Sequence, residues 1–118
     1  MSVSLSFRNF VLEQLNRVLP QVRARSMFGG VGIYSGNVFF ALIADDTLYF
    51  KVDDSTRPEF KARGMTPFRP YGEDGEVMGY YELPHELLED LEALRGWAGK
   101  AVAVARRKKG KRGRRGGA

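Results

Sequence analysis

Apolar residues recur at helical spacing near the start of the chain. Ser4 and Ser6 precede them and are candidate N-caps, while Pro20 ends the pattern because proline disfavours helical geometry in the residue before it. We therefore predict a first helix with one apolar face. That face is formed by Phe7, Phe10, Val11, Leu15 and Val18.

Three apolar segments follow at residues 27–34, 38–44 and 47–52. The second is a nearly continuous apolar run, which is typical of a strand with little exposure on either face. The connections at residues 35–37 and 45–46 are short, so the pattern predicts three antiparallel strands joined by tight turns.

A short second helix is predicted after residues 53–55. Thr56 and Glu59 have the spacing of a capping box, in which each side chain bonds to the backbone of the other residue. Phe60 is the expected buried anchor, and Gly64 lies where a helix is often followed by glycine.

The last third of the chain predicts two more strands and a long helix. Residues 68–71 and 77–83 have strand character and are joined by a hairpin connection at residues 72–75. The final helix is expected over residues 90–107. Its apolar positions are Leu91, Leu94, Trp97, Ala98, Ala101, Val102 and Ala105, which we expect to face the core.

The predicted order is helix, three strands, helix, two strands, helix. Since long parallel crossovers are absent, we predict an α+β fold with an antiparallel five-stranded sheet and flanking helices. Residues 1–108 form the predicted domain. Residues 109–118 contain only Lys, Arg, Gly and Ala, and we expect them to be disordered in the free protein because no apolar side chain offsets the entropy of ordering.

Composition restricts the class of protein. A chain of 118 residues with 43% hydrophobic residues is the size of one domain with one core. The absence of cysteine excludes a disulfide scaffold, a cysteine-ligated zinc site and thiol catalysis. Residues 1–8 lack a signal-peptide core and no run reaches the length of a membrane span, so we expect a cytoplasmic protein without membrane insertion.

Positive charge is concentrated at the C-terminus. The chain carries a net charge of +5, but without the C-terminal basic residues its remaining 11 basic and 14 acidic residues give −3. Eight cations without an intervening carboxylate suit a polyanion, because Lys and Arg displace counterions from phosphates. A solubilising tail and contact with an anionic membrane surface are the alternatives. The predicted nucleic-acid-binding residues are Arg106, Arg107, Lys108, Lys109, Lys111, Arg112, Arg114 and Arg115.

Signals of catalysis are sparse. His85 is the only histidine and has no nucleophile motif beside it. The acidic pairs at residues 45–46 and 53–54 are more simply explained by turn and helix-start chemistry than by a cation. The glycines of residues 29–32 match neither a dinucleotide fingerprint nor a phosphate loop, and we interpret them as allowing a bend or a close backbone approach. We predict no catalytic residue, cofactor or metal. The alternative hypothesis, an enzyme that acts on a small anion, depends only on these glycines and Arg25.

Adjacent tyrosines at positions 80 and 81 fall within a predicted strand. Because neighbouring strand residues point to opposite faces, we expect one tyrosine in the core and the other exposed. An exposed strand tyrosine can stack on nucleobases, although a half-buried sheet residue is the more common case.

Several short motifs follow one another in a specific order, beginning with RSMFGGVGIY at residues 25–34. Together they resemble the N-terminal domain of the TfoX, or Sxy-like, family, over residues 7–105. The other matching positions are residues 40–45 and 48–53, Arg57, Phe60, Gly64, residues 67–68 and 80–84, Leu94, Trp97 and Ala98.

This resemblance implies an α+β fold like that of secretion chaperones, without known catalytic residues. Two-domain members regulate natural competence together with the cyclic-AMP receptor protein; where they have a second helical domain, this sequence has the basic run. We predict a non-catalytic regulatory or binding module, a transcription or competence regulator, with non-specific nucleic-acid contact through the basic run. We also expect an unidentified protein partner, with homodimerisation left open. The alternative is a protein-interaction or chaperone-like module that does not bind nucleic acid.

Overall fold

The computed structural model describes residues 4–27, 29–69 and 79–117, with side chains as far as residue 109. In these ranges three α-helices, five strands and one 3-10 helix form. They are α1 Leu5–Val18, β1 Val22–Met27, β2 Gly30–Ser35, β3 Val38–Ala44, β4 Thr47–Lys51, α2 Arg57–Ala62, β5 Tyr80–Glu82, the 3-10 helix His85–Glu89 and α3 Leu91–Gly117.

The strands form one antiparallel sheet in the order β1-β2-β3-β4-β5. Helices α1 and α3 pack against each other and against the same face of this sheet, which we call the inner face. The opposite face is the outer face. The predicted fold class, α+β with a five-stranded antiparallel sheet and flanking helices, is confirmed.

The predicted order of strands is wrong in one respect, because four strands precede α2 and one follows it. The single strand predicted over residues 27–34 is interrupted by a turn in which Gly29 has a φ of 78°. Residues 22–27 form β1, an edge strand in which small apolar and charged residues alternate. Its low apolar content explains why the pattern of hydrophobic runs did not reveal it.

Of the predicted strand at residues 68–71, residues 70–71 lie outside the described residues, and Phe68 pairs with β5 together with the residues before it. The amide of Phe68 donates to the carbonyl of Tyr80 at 2.9 Å, and the amide of Glu82 donates to the carbonyl of Thr66 at 2.9 Å. Pro67, which lies between them, has no amide hydrogen and forms an isolated bridge with Tyr81. The predicted connection at residues 72–75 lies outside the described residues.

A β-bulge explains the nearly continuous apolar run of β3. Ile33 pairs with Ala41 and Tyr34 pairs with Phe39, so Phe40 is the extra residue of β3. Phe40 and Ala41 are consequently both buried in the core with Ile33. The bulge thus lets two consecutive residues of the strand contribute to the core.

Close backbone packing explains why position 30 is occupied by glycine. A Cβ atom at Gly30 would lie 2.6 Å from the carbonyl oxygen of Ile43 on β3, so only glycine fits there. Together with the positive φ of Gly29, this confirms the interpretation of the glycine segment as a bend with a close backbone approach.

The ends of α1 and α2 test the predicted caps. The hydroxyl of Ser4 accepts a hydrogen bond from the amide of Phe7 at 3.2 Å, which confirms Ser4 as N-cap of α1. The capping box at Thr56 is wrong: its hydroxyl accepts instead from the amide of Asp53 at 3.1 Å. Gly64 follows α2 with a φ of 74° and its amide bonds to the carbonyl of Lys61, as expected of a glycine after a helix end.

Helix α3 supplies much of the core. Its buried side chains are Leu94, Ala98, Ala101, Val102, Val104 and Ala105. The helix begins near the predicted residue but continues past Arg107 to Gly117. The disorder expected for residues 109–118 in the free protein stays a prediction. The glycines of this segment favour unfolding of the helix end, because each lowers helix stability by about 1 kcal/mol relative to alanine.

Within the described ranges, no helix combines the length and apolar character needed to cross a lipid bilayer.

Trp97 is only partly buried, contrary to the expectation that it lies in the core. Its indole contacts the ring of Phe60 edge-on, with 4.8 Å between centroids, and the guanidinium of Arg63 lies 5.3 Å from the indole centroid. Phe60 itself is 3% exposed and also contacts Tyr81. Phe60 therefore anchors α2, and Trp97 covers that anchor.

Phe60→Ala is expected to lower the free energy of unfolding by about 3–5 kcal/mol, because it leaves a cavity between α2, α3 and β5. Trp97→Ala should cost less, about 2 kcal/mol, because part of the indole is already in contact with water. Urea denaturation followed by circular dichroism measures both. A larger loss for Trp97→Ala than for Phe60→Ala would show that Trp97 and not Phe60 is the anchor.

Candidate nucleic-acid interface

The predicted basic residues lie at the C-terminal end of α3. Arg106, Arg107, Lys108 and Lys109 are all exposed on the helix. The side chains of Lys111, Arg112, Arg114 and Arg115 lie outside the described residues. We call residues 106–115 the basic end of α3. Cations at this end also favour the helix itself, since they interact with its negative dipole end.

Two of the four described cations contact the folded body. Arg107 forms an ion pair with Asp53, with 2.8 Å between its guanidinium nitrogen and the carboxylate Oδ2. Lys109 donates from Nζ to the backbone carbonyl of Asn37 at 3.0 Å. These contacts show that this part of α3 lies against the folded body.

Asp53 is held by several donors at once. Both the amide and the hydroxyl of Ser55 donate to Oδ1, at 2.9 and 2.6 Å, while Arg107 binds the other oxygen. The hydrogen bonds from the Ser55 side chain, followed by that from Arg107, hold the pKa of Asp53 well below its usual range. Asp53 is therefore charged at neutral pH and already paired with one cation of the basic end.

These contacts place the basic end of α3 at one end of the sheet. Asn37 lies in the turn between β2 and β3, and Asp53 follows β4. The ammonium of Lys108 also approaches Gly79, the residue before β5, at 3.9 Å from the position that a Cβ atom would take there. Three chain segments at this end of the sheet thus lie next to basic side chains.

A row of aromatic and cationic side chains crosses the outer face at the same end. Tyr34 is paired with Arg23 on one side and with Phe39 on the other, and Lys51 is paired with Tyr80. We call this set the aromatic row. In the order of the strands it consists of Arg23, Tyr34, Phe39, Lys51 and Tyr80.

The rings of this row stack on one another. The centroids of Tyr34 and Phe39 are 5.2 Å apart with an angle of 26° between the planes, and Phe39 and Tyr80 are 5.8 Å apart. Two cations lie against these rings: the guanidinium of Arg23 on β1 is 5.7 Å from the Tyr34 centroid, and the ammonium of Lys51 on β4 is 4.6 Å from the Tyr80 centroid. The row thus carries positive charge on the terminal strand β1 and on β4.

The two consecutive tyrosines do not divide as predicted. Tyr81 points to the inner face and packs against Phe60, whereas Tyr80 points to the outer face, so the expectation of opposite faces is correct. The expectation that one is exposed is wrong, because Tyr80 is only 4% exposed beneath its neighbours in the row. Burial raises the pKa of Tyr80 to about 12, with a smaller contribution from the nearby Tyr34.

A cleft of about 500 Å³ adjoins the Arg23 end of the row. It lies between the start of β1 and the turn that Lys109 contacts. Its walls are formed by Gln21, Val22, Arg23, Gly36 and Asn37. This concave, cation-bordered surface connects the basic end of α3 with the outer face of the sheet.

Arg23, Tyr34 and Phe39 were not identified as site residues from the sequence. The alternation of Val22, Arg23, Ala24 and Arg25 is a signal for an edge strand with two arginines on one face, and it would have identified Arg23. The stacking of the row depends on pairing between strands and has no local signal.

The other residues considered as candidates for catalysis or metal binding have structural roles in this fold. His85 is exposed at the start of the 3-10 helix and stacks on Phe7, with 6.4 Å between centroids. Asp45 and Asp46 form the turn between β3 and β4, with φ of 51° and 53°. In the part of the chain that the structure describes, no three histidine or carboxylate side chains are grouped to hold a metal ion.

Comparison with known proteins agrees with the fold. A sequence model described as the TfoX N-terminal domain matches residues 13–105. This match includes the aromatic row and ends one residue before the basic end of α3. No curated protein matches the chain.

Asp53→Asn is expected to lower the free energy of unfolding by on the order of 1 kcal/mol at neutral pH, through loss of a partly exposed ion pair and a turn hydrogen bond. A carboxyl group whose pKa is lowered by folding stabilises the protein above its unfolded pKa of about 3.9, and this contribution is lost as the pH falls. The difference between wild type and variant should therefore shrink below about pH 4.

Urea denaturation at a series of pH values measures this difference. Asp54→Asn is the matched control, since the side chain of Asp54 is 99% exposed and pairs with Arg57 in the adjacent helix. A difference between wild type and Asp53→Asn that stays constant with pH would contradict the assignment.

Proposed function

This chain belongs to the TfoX N-terminal domain family, and from that membership we propose that it is a non-catalytic regulatory module that binds nucleic acid without sequence specificity through the basic end of α3. The observation that carries the proposal is the eight-cation run of residues 106–115, which contains no acidic residue. Its described members, Arg106, Arg107, Lys108 and Lys109, are all exposed where α3 extends from the core.

Charge is polarised along α3. The beginning of the helix and the preceding 3-10 helix carry Glu86, Glu89, Asp90 and Glu92. A helix of 27 residues is about 40 Å long, so its acidic and basic ends are several Debye lengths apart at physiological salt. A polyanion approaching the protein is therefore directed toward the basic end and away from the opposite one.

Binding of this kind has low sequence specificity. Lys and Arg side chains on a helix end reach phosphates, and phosphate contacts fix position without reading bases. The folded body then supplies the regulatory contact with an unidentified protein partner. Its acidic surface lies far from the bound nucleic acid and therefore remains accessible to that partner. The family membership supports the regulatory role of the folded body.

Neutralising two cations of the run tests the proposal. In the variant Arg112→Gln/Arg114→Gln, the slope of log affinity for duplex DNA against log salt should decrease in magnitude by about 2, since each lost phosphate contact changes it by about 0.9. Fluorescence anisotropy at several salt concentrations measures the slope.

The matched control is Arg17→Gln/Lys61→Gln, which removes the same charge from exposed positions on α1 and α2. We expect its slope to equal that of the wild type. Equal slopes for all three proteins would exclude Arg112 and Arg114 from the contact, whereas no measurable DNA binding by the wild type would favour a protein-interaction module without nucleic-acid binding.

A further inference from the structure

The aromatic row ends in a solvent-exposed guanidinium. Arg23 belongs to β1, which is the terminal strand in the order of the described sheet, and it is exposed. Its guanidinium carbon lies over the ring of Tyr34, 5.7 Å from the ring centroid. Behind Tyr34 the stack continues through Phe39 to the buried Tyr80, so Arg23 rests on a fixed support.

A guanidinium that has an aromatic ring on one side is suited to stack with an unpaired nucleobase on the other side. Nucleobases in single strands stack on arginine planes as well as on aromatic rings, whereas the bases of a duplex are already stacked on each other. The in-plane N–H groups of the same arginine remain available for phosphate. The faces of Tyr34 and Phe39 are already occupied by their neighbours, so Arg23 is the position at which a base can extend this stack.

Positive charge continues on both sides of Arg23. Arg25 is exposed on the same outer face, about 7 Å further along β1 given the rise of a strand. In the other direction the cleft beside Arg23 leads to Asn37, where Lys109 of the basic end binds. A flexible polyanion can follow this surface from α3 to β1.

We propose that the protein binds single-stranded nucleic acid, with an unpaired base stacked on the guanidinium of Arg23 and the backbone running from Arg25 to the basic end of α3. This inference rests on the proposed function and specifies its ligand. A second copy paired along β1 is disfavoured, since it would bring the arginines of two such strands together. An acidic peptide strand added to β1 would use the charge of Arg23 but not its planar shape.

The substitution Arg23→Lys separates planar shape from charge. The probe is a fluorescein-labelled oligothymidylate of about 12 nucleotides, within the range of known single-strand site sizes, and the comparison is a duplex of equal length. Because stacking of one base contributes about 1–3 kcal/mol, we expect affinity for the oligothymidylate to fall about tenfold. Affinity for the duplex should be unchanged.

Two further variants test the support of Arg23. Tyr34→Leu removes the ring behind the guanidinium and should weaken oligothymidylate binding as Arg23→Lys does, whereas Tyr34→Phe retains the ring and should bind like the wild type. Thermal unfolding reports whether Tyr34→Leu is folded. If it is not, Arg23→Lys, an exchange at an exposed edge position, decides the question alone.

The outcomes distinguish this inference from the proposed function. If Arg112→Gln/Arg114→Gln weakens binding of both probes while Arg23→Lys binds the oligothymidylate like the wild type, the basic end is confirmed and the stacked base is overturned. If Arg112→Gln/Arg114→Gln has no effect while Arg23→Lys weakens only the oligothymidylate, the proposed function fails and the stacking site stands. A stable dimer through β1 that saturating oligothymidylate does not displace would also overturn the inference.

Discussion

The structure depends on the burial of one face of α3 against the inner face of the sheet. Small side chains such as Ala98 and Ala101 are buried there, so the helix approaches the strands closely and is held along much of its length. The same contact determines where the following residues go. Because α3 is continuous, the packing of its first half directs the basic end toward the turn at Asn37 and toward Asp53.

Irregularities in the strands adapt the sheet to this packing. The bulge at Phe40 turns two consecutive residues toward the helices, and Gly30 allows the backbone of β3 to approach β2. On the outer face the same register brings Tyr34 beside Phe39. The core and the aromatic row are therefore two consequences of one pairing of strands, and a change in register would disturb both.

Most of the elements were predictable from local patterns. Helical spacing identified α1 and α3, turn residues identified the tight connection at Asp45 and Asp46, and the position of Gly64 identified the end of α2. Strand β1 was missed because its inward residues are small, and Trp97 was assigned to the core because helical spacing does not show how much of a face is covered. Of the candidate site, the basic residues were identified from composition alone.

The sequence by itself determined the class of fold, the family and the asymmetric distribution of charge, because periodicity, motif order and composition are properties of the chain alone. Only the tertiary structure decided that Arg23 caps a stack of rings and that this stack lies beside the basic end of α3. Those contacts join residues from four strands and a distant helix. Their geometry arises from strand register and helix packing, which are set by the burial of the whole core and not by any local segment.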